Sequence, residues 1–455
     1  MNNKEQKTRP FGFWSAVGLV IANMIGAGVF TTSGYSLADL GSRQHVMYAW
    51  LLGGLIAICG AICYGRLASQ ITESGGEYLF LSRLVHPSAG FIAGWVSLLA
   101  GFTGAIAFAA VTFESYAVPD FAKPTWLKPG MLGIVAIIVF GLLHGLIVSK
   151  GVVTQNLVIV LKILLLAGFI GYAFYCFPAG WDGMQVKLPT KEASSPSVYG
   201  IASTLVWISL SFSGFNAAVY ISGEVSKPEK NVPRALLAAT LLVTAFYLVL
   251  NFVFLYGPSP EAIRGQADVA AIASFSIGGP VLSFVVRVIV CIALLSSISS
   301  MIIAGPRVYA KMAEDGVFPS WLKPSRRGKL DVPFSSILLQ VVLACVVVAF
   351  STLESLLDYL GFTISVTAAL TVACVFWAHR GSSQIGTSTK GWLFYAIVAA
   401  VYVTATLGLA GISLINRPQQ LYGFAATLIS GLGLYWIGSQ RPFLSFQLGK
   451  PANTD

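Results

Sequence analysis

Between residues 11 and 439 the chain runs through twelve apolar stretches, at about 11–38, 44–65, 88–113, 131–149, 152–178, 197–223, 235–257, 280–305, 332–352, 359–379, 392–415 and 419–439. Together they hold two charged residues, Lys162 and Arg287. The hydrocarbon core of a bilayer, about 30 Å thick, is crossed by a helix of about 20 apolar residues. The stretches are continuously apolar rather than alternating, which predicts helices and not the strands of a barrel. The expected fold class is an all-α membrane protein with 12 transmembrane helices.

Composition closes the soluble alternative. Hydrophobic residues make up 56% of the 455 residues and charged residues 10%, against roughly 25% charged in soluble domains. The same lack of polarity excludes disorder. Lys4, Lys7 and Arg9 precede the first stretch, but no small-residue cleavage site follows a short apolar segment, so this is expected to be a retained helix and not a signal peptide. The net charge of +10 does not imply nucleic acid, because its placement is topological. With the N-terminus inside, nineteen basic residues fall in inner loops and tails and seven in outer ones. The expectation is a multi-pass protein of the plasma (inner) membrane, its partner the lipid bilayer, with cytoplasmic tails at 1–10 and 440–455. The longest connections, 179–196 and 306–331, are too short for a domain, so function must lie among the helices. The six cysteines sit in or at the ends of apolar stretches and read as packing residues. None lies in an expected outer loop to tether a second chain, so no obligate partner subunit is expected, and no cofactor or metal pattern is present.

Two stretches are interrupted near mid-depth, the first by Gly26-Ala27-Gly28 and the sixth by Ser211-Phe212-Ser213-Gly214-Phe215-Asn216. Glycine weakens a helix interior by about 1 kcal/mol, and Ser and Asn offer the backbone other partners. Either interruption alone reads more readily as a packing contact. The pairing favours a binding site, because stretches one and six each open a set of five, and an odd-numbered set inserts its copy upside down. Interruptions at matching places in inverted halves mark a mid-bilayer site. Bare N–H groups at a half-helix start would receive a carboxylate, and bare carbonyls at a half-helix end an ammonium group.

Four blocks carry a family resemblance. Asn23-Met24-Ile25-Gly26-Ala27-Gly28-Val29-Phe30, then Gly75-Gly76-Glu77-Tyr78 leading to Gly94-Trp95, then Phe212 through Gly223-Glu224 to Pro233-Arg234, and finally Arg307 to Pro319 resemble, in order and spacing, motifs of the amino acid–polyamine–organocation transporter superfamily. The resemblance implies a LeuT-like fold: a first inverted repeat at 11–178, a second at 197–379, and two further helices at 392–439. It also implies amino acid transport by alternating access. Carried over by position, Ile25, Gly26, Ala27 and Gly28 would present backbone to the substrate carboxylate. Phe212, Ser213, Gly214 and Phe215 would supply carbonyls and an aromatic gate, with Asn216 beside the substrate. Gly223-Glu224 departs from the two acidic residues that many members carry there.

Lys162 lies about ten residues into its stretch, near mid-depth, where a lysine costs at least about 2.5–3.5 kcal/mol. It must face protein or water, as a functional residue or as a structural one bonded to carbonyls. The resemblance implies the former: an ammonium standing in for a sodium ion between the helix-one break and a helix-eight hydroxyl. Ser296, Ser297, Ser299 and Ser300 are available, and sequence does not choose among them. Sodium-independent transport is expected, coupled to protons or to amino acid exchange. Arg287 reads as snorkelling or as a vestibule residue. Glu114 and Asp358 read as solvated helix ends, and His144 as a packing residue.

The interrupted segments carry no acid, which favours a neutral amino acid over a cationic amino acid or polyamine, although Phe212 and Phe215 could face a second positive charge. A channel would need a repeated filter segment or ring of charge, and neither is present. An intramembrane enzyme would need metal-ligand or Ser-His pairings that the stretches do not contain.

Overall fold

The structure is a computed structural model that describes residues 11–119, 124–146, 151–177, 180–181, 196–323, 325–327, 330–378 and 389–440. The expected tails, 1–10 and all but the first residue of 440–455, lie outside the described residues, as do Lys187 and Lys191 of the expected outer loop.

Among the described residues, each of the twelve apolar stretches falls mainly on helix. The first is two helices, α1 (Phe13–Met24) and α2 (Ala27–Leu40). It is followed by α3 (Arg43–Gln70) and a short α4 (Gly76–Leu84). The third stretch is α5 (Pro87–Val96) and α6 (Ala105–Ala117), joined through a π-helical segment, Ser97–Gly104. Then come α7 (Met131–Leu146), α8 (Gly151–Cys176), and α9 (Val198–Ser211) with a 3-10 segment at Ala217–Glu224. The remainder is α10 (Pro228–Tyr256), α11 (Val269–Glu314, kinked at Gly278 and Gly279), α12 (Phe334–Phe350), α13 (Leu353–Ala373), α14 (Thr389–Asn416) and α15 (Gln419–Gln440). A hairpin of three-residue strands, Ser325–Arg327 and Leu330–Val332, precedes α12.

Among the described residues seven helical segments are long and apolar enough to cross a membrane, and four shorter apolar helices accompany them. Their outer faces carry exposed Leu142, Leu164, Phe284 and Ile429, whereas Thr31, Ser33, Asn251 and Gln340 are buried. That distribution inverts the pattern of a soluble protein and suits a bundle solvated by lipid.

The contact between α2 and α9 fixes the centre of the bundle. A Cβ on Gly28 would lie 2.5 Å from Ser211 Oγ and 2.7 Å from Ser211 Cα, so only glycine lets the backbones meet. Thr32 Oγ1 and Ser211 Oγ then lie 3.1 Å apart and share a hydrogen bond. Phe11, at the start of the described chain, pairs with the far side of the sixth stretch: its N–H donates to Glu224 O (3.2 Å), and its carbonyl accepts from Ser226 N (2.8 Å).

Candidate functional site

The first break is two residues wide. Ile25 (φ −73°, ψ 86°) and Gly26 (φ −132°, ψ −156°) separate α1 from α2. Gly26 has no side chain to cap α2, so the first N–H groups of α2 are left for a ligand. The second break follows α9, where Gly214 takes φ +93° and the chain continues as a 3-10 segment. A Cβ on Gly214 would stand 3.0 Å from Asn23, so conformation and close approach both demand glycine there.

One hydroxyl serves both breaks. Tyr247 Oη on α10 lies 2.5 Å from Met24 O and 3.1 Å from Ser211 O, the terminal carbonyls of α1 and α9. Nothing in the sequence marked Tyr247, since an aromatic in an apolar stretch reads as core.

Between the breaks lies a cavity of about 580 Å³, within the roughly 300–1,000 Å³ of small-molecule sites. Of the residues assigned from sequence, Gly26, Ala27, Gly28, Ser213, Gly214 and Asn216 line it, together with Asn23, Phe102, Ser297 and Ser300. Ile25, Phe212 and Phe215 do not line it. Phe212 packs on Trp50 and Tyr247, with centroids 6.0 and 5.1 Å away, and Phe215 packs edge-on against Tyr64 at 5.2 Å. The expected aromatic gate is therefore not formed by these rings in this conformation, in which both are buried against other aromatics.

The cavity reaches Phe11, Ser15 and Arg307 at one end. Beyond the breaks the other end is tied shut. Arg417 bonds Glu354 at 2.7 Å, lies 3.5 Å from both Asp39 and Asp358, and stacks its guanidinium 4.4 Å from the Trp207 ring. Asp358 also accepts from Trp207 Nε1 (2.9 Å) and Gln420 (3.2 Å). It is a buried hub and not the solvated helix end expected from sequence. Glu114 is likewise buried and accepts from Gly130 N (2.9 Å) and Leu132 N (3.0 Å). Both carboxylates find partners distant in sequence, which local pattern does not reveal.

Lys162 is buried, and its Nζ donates to Ile25 O and to Ala22 O (3.3 Å), with Ser297 Oγ at 3.4 Å. Ser297 in turn lies 3.4 Å from Ile25 O. Ser296 accepts through its carbonyl from Ser300 Oγ (2.8 Å), and Ser299 bonds His144 Nε2 (2.8 Å), so of the candidate serines Ser297 is the one within reach of Lys162. Arg287 pairs with Asp268 at 2.5 Å and donates to Tyr116 O (3.3 Å), anchoring α11 to the end of α6 and not reaching the cavity.

Sequence reasoning passed over Glu77 because it stands outside the apolar stretches. After α3 the chain turns through Gly75 and Gly76, both at positive φ, and directs Glu77 inward. It is 8% exposed, lines the cavity, and accepts from the Tyr64 hydroxyl and from Asn216 Nδ2 (3.2 Å). Burial raises its pKa above the usual carboxylate range, against the opposing pull of the bonds from Tyr64 and Asn216.

Apolar helices broken around a cavity closed at one end define a membrane transport protein. The chain belongs to the amino acid permease family, whose model matches residues 11–432. It is 24% identical over 449 residues to the large neutral amino acids transporter small subunit 2 of Homo sapiens, covering 96% of this chain and 83% of that one. It is 27% identical over 379 residues to the serine/threonine exchanger SteT of Bacillus subtilis, covering 81% and 83%. Identity is 23% over 440 residues to the Asc-type amino acid transporter 1 of Mus musculus, covering 94% and 81%. The chain is thus an amino acid permease and not an enzyme.

Proposed function

We propose that this permease is a sodium-independent carrier of neutral L-amino acids, alternating access between two inverted five-helix repeats of a twelve-span, LeuT-like frame. The observation that carries the reading is the meeting of the two breaks across one cavity with the Lys162 ammonium on the carbonyl end of α1. The uncapped start of α2 would take the substrate carboxylate, and free carbonyls near Ser213 the amino group. Lys162 occupies the place of a coupling cation, with Ser297 beside it, so exchange or proton symport replaces sodium coupling. The names of the relatives, for large neutral amino acids, serine and threonine, favour neutral substrates. The cavity-open end, carrying Phe11, is then cytoplasmic, and both termini lie there in the plasma (inner) membrane. All six cysteines lie in helices or beside their ends, which suits a carrier without a disulfide-tethered partner subunit.

A cationic amino acid is the second reading, favoured by Glu77 in the cavity wall. Purified protein in liposomes, loaded with one neutral amino acid and challenged with a panel outside, tests both. Saturable, trans-stimulated flux that is indifferent to sodium and competed by neutral amino acids is expected. Competition by lysine or arginine alone would favour the second reading, and non-saturating flux would mean a channel.

A further inference from the structure

Glu77 has no part in the neutral-carrier scheme so far. Among the described residues no Lys, Arg or His side chain forms an ion pair with it. Tyr64 of α3 and Asn216 of the second break donate to the same oxygen, Oε1. The other ionisable groups facing it are the hydroxyls of Tyr220 on the 3-10 segment and Tyr402 on α14. An ionised carboxylate enclosed by neutral groups alone is strongly disfavoured. A neutral one keeps a carbonyl oxygen able to accept from both donors and gains an O–H of its own. Three elements meet at this one group: α3 through Tyr64, α4 through the backbone of Glu77, and the second break through Asn216.

We propose that Glu77 is a positioning residue for transport, which as the neutral acid clamps Asn216 to α3 and so sets the shape of the second break while the cavity is open at its Phe11 end. The inference rests on the reading of the cavity as the amino acid site. Burial of the carboxyl raises its pKa and supports the neutral form. Tyr64 is buried behind the wall and does not line the cavity, so its hydroxyl is removable without touching substrate.

The test is exchange of a labelled neutral amino acid by the full chain in liposomes, across a series of pH values, for wild type, E77Q, E77L, Y64F and the E77L/Y64F pair. Gln reproduces the accepting oxygen and a donor, so E77Q should keep the wild-type KM. Y64F and E77L should each raise KM by about 2- to 10-fold, the worth of one hydrogen bond, and the pair should be no worse than E77L. The wild-type KM should change with pH as the carboxyl titrates, while that of E77Q stays flatter. The proposal is overturned if E77Q is as impaired as E77L, if Y64F matches wild type, if the two effects multiply, or if wild type and E77Q share one pH response. Loss in E77Q of competition by lysine and arginine alone would make Glu77 a direct substrate contact and overturn it too. If E77L does not fold, E77Q and Y64F decide. Absence of amino acid uptake by wild type would refute the transport reading instead, a distinct result.

Discussion

Replacing Lys162 by methionine keeps most of the side-chain volume and removes the ammonium, which separates the electrostatic role of this residue from its packing. Its Nζ holds two carbonyls, Ala22 O in the last turn of α1 and Ile25 O in the break just after it, at the negative end of that half-helix. A hydrogen bond from a charged donor is worth about 1.5–3 kcal/mol, so the two together secure the end of α1 by about 3–6 kcal/mol. Removing the charge also removes its desolvation cost, which is several kcal/mol. Ile25 O retains a neutral donor in Ser297 Oγ at 3.4 Å. Net stability should therefore move by no more than about 2 kcal/mol, and the variant should stay inserted and monodisperse with a nearly unchanged Tm. On the proposed reading transport is different, because a shift of the α1 end by about 1 Å would displace the groups assigned to position substrate, and such a displacement costs about 100-fold in rate. Exchange in liposomes, with and without a proton gradient, should fall by that order in K162M. A K162M protein that exchanges at the wild-type rate with unchanged pH dependence would refute the assignment of Lys162 as the coupling residue.

Gly26→Leu and Gly28→Ala should fail in opposite ways. A Cβ at Gly26 meets nothing closer than 3.9 Å, so G26L should fold normally and lose substrate binding. G28A forces α2 off Ser211 and should cost about 1–3 kcal/mol in thermal stability, and a reversed pattern in binding and melting assays would show that the first break is not the site. Tyr247→Phe leaves Met24 O and Ser211 O without their shared donor, so a loss of about 1–3 kcal/mol and slower exchange are expected, and a wild-type melting curve and exchange rate would mean the hydroxyl links nothing. Arg417→Gln should loosen the closed end by about 1 kcal/mol, and a maleimide should then label a cysteine placed at buried Ser36 about fivefold faster than in an R417 background. Equal labelling would assign the seal elsewhere.

The parts of this structure that depend on local pattern were legible in the sequence. Continuous apolar stretches give helices whatever surrounds them, and the eighth stretch was expected to begin at 280, where Gly278 and Gly279 do kink α11. The breaks at Gly26 and Gly214 were legible because glycine, serine and asparagine weaken a helix by themselves. What escaped depends on residues far apart in the chain. Ser97–Gly104 does not differ in composition from α-helical neighbours, so nothing announces its π-helical turn. The sequence offered four serines for Lys162, and only the packing of α11 against α8 brings Ser297 within reach and turns Ser299 to His144. Glu114 and Asp358 were read as solvated helix ends, and Glu77 was passed over, because their donors stand 13 or more residues away.

The hydrogen bonds around the two breaks divide the four half-helices into two pairs. At the closed end α2 and α9 are joined by the Gly28–Ser211 contact and by Thr32 to Ser211, and Arg417 fastens Asp39 of α2 to the Trp207 face of α9. At the open end the chain just before α1 is strapped through Phe11 to Glu224 and Ser226, beyond the second break. Each half-helix thus holds to the half beside it in space, while its covalent continuation passes through a break that lacks helical hydrogen bonds. Bending at both breaks together would move α1 with the 3-10 segment and leave α2 with α9 in place, sacrificing no bond inside either pair. Tyr247 spans the joint, from Met24 O of α1 to Ser211 O of α9, while Lys162 holds the α1 side alone, and both end on backbone carbonyls. On the proposed reading, occupancy of the cavity and the position of the hinge would compete for the carbonyl oxygens at the breaks, which is the physical coupling that alternating access would require.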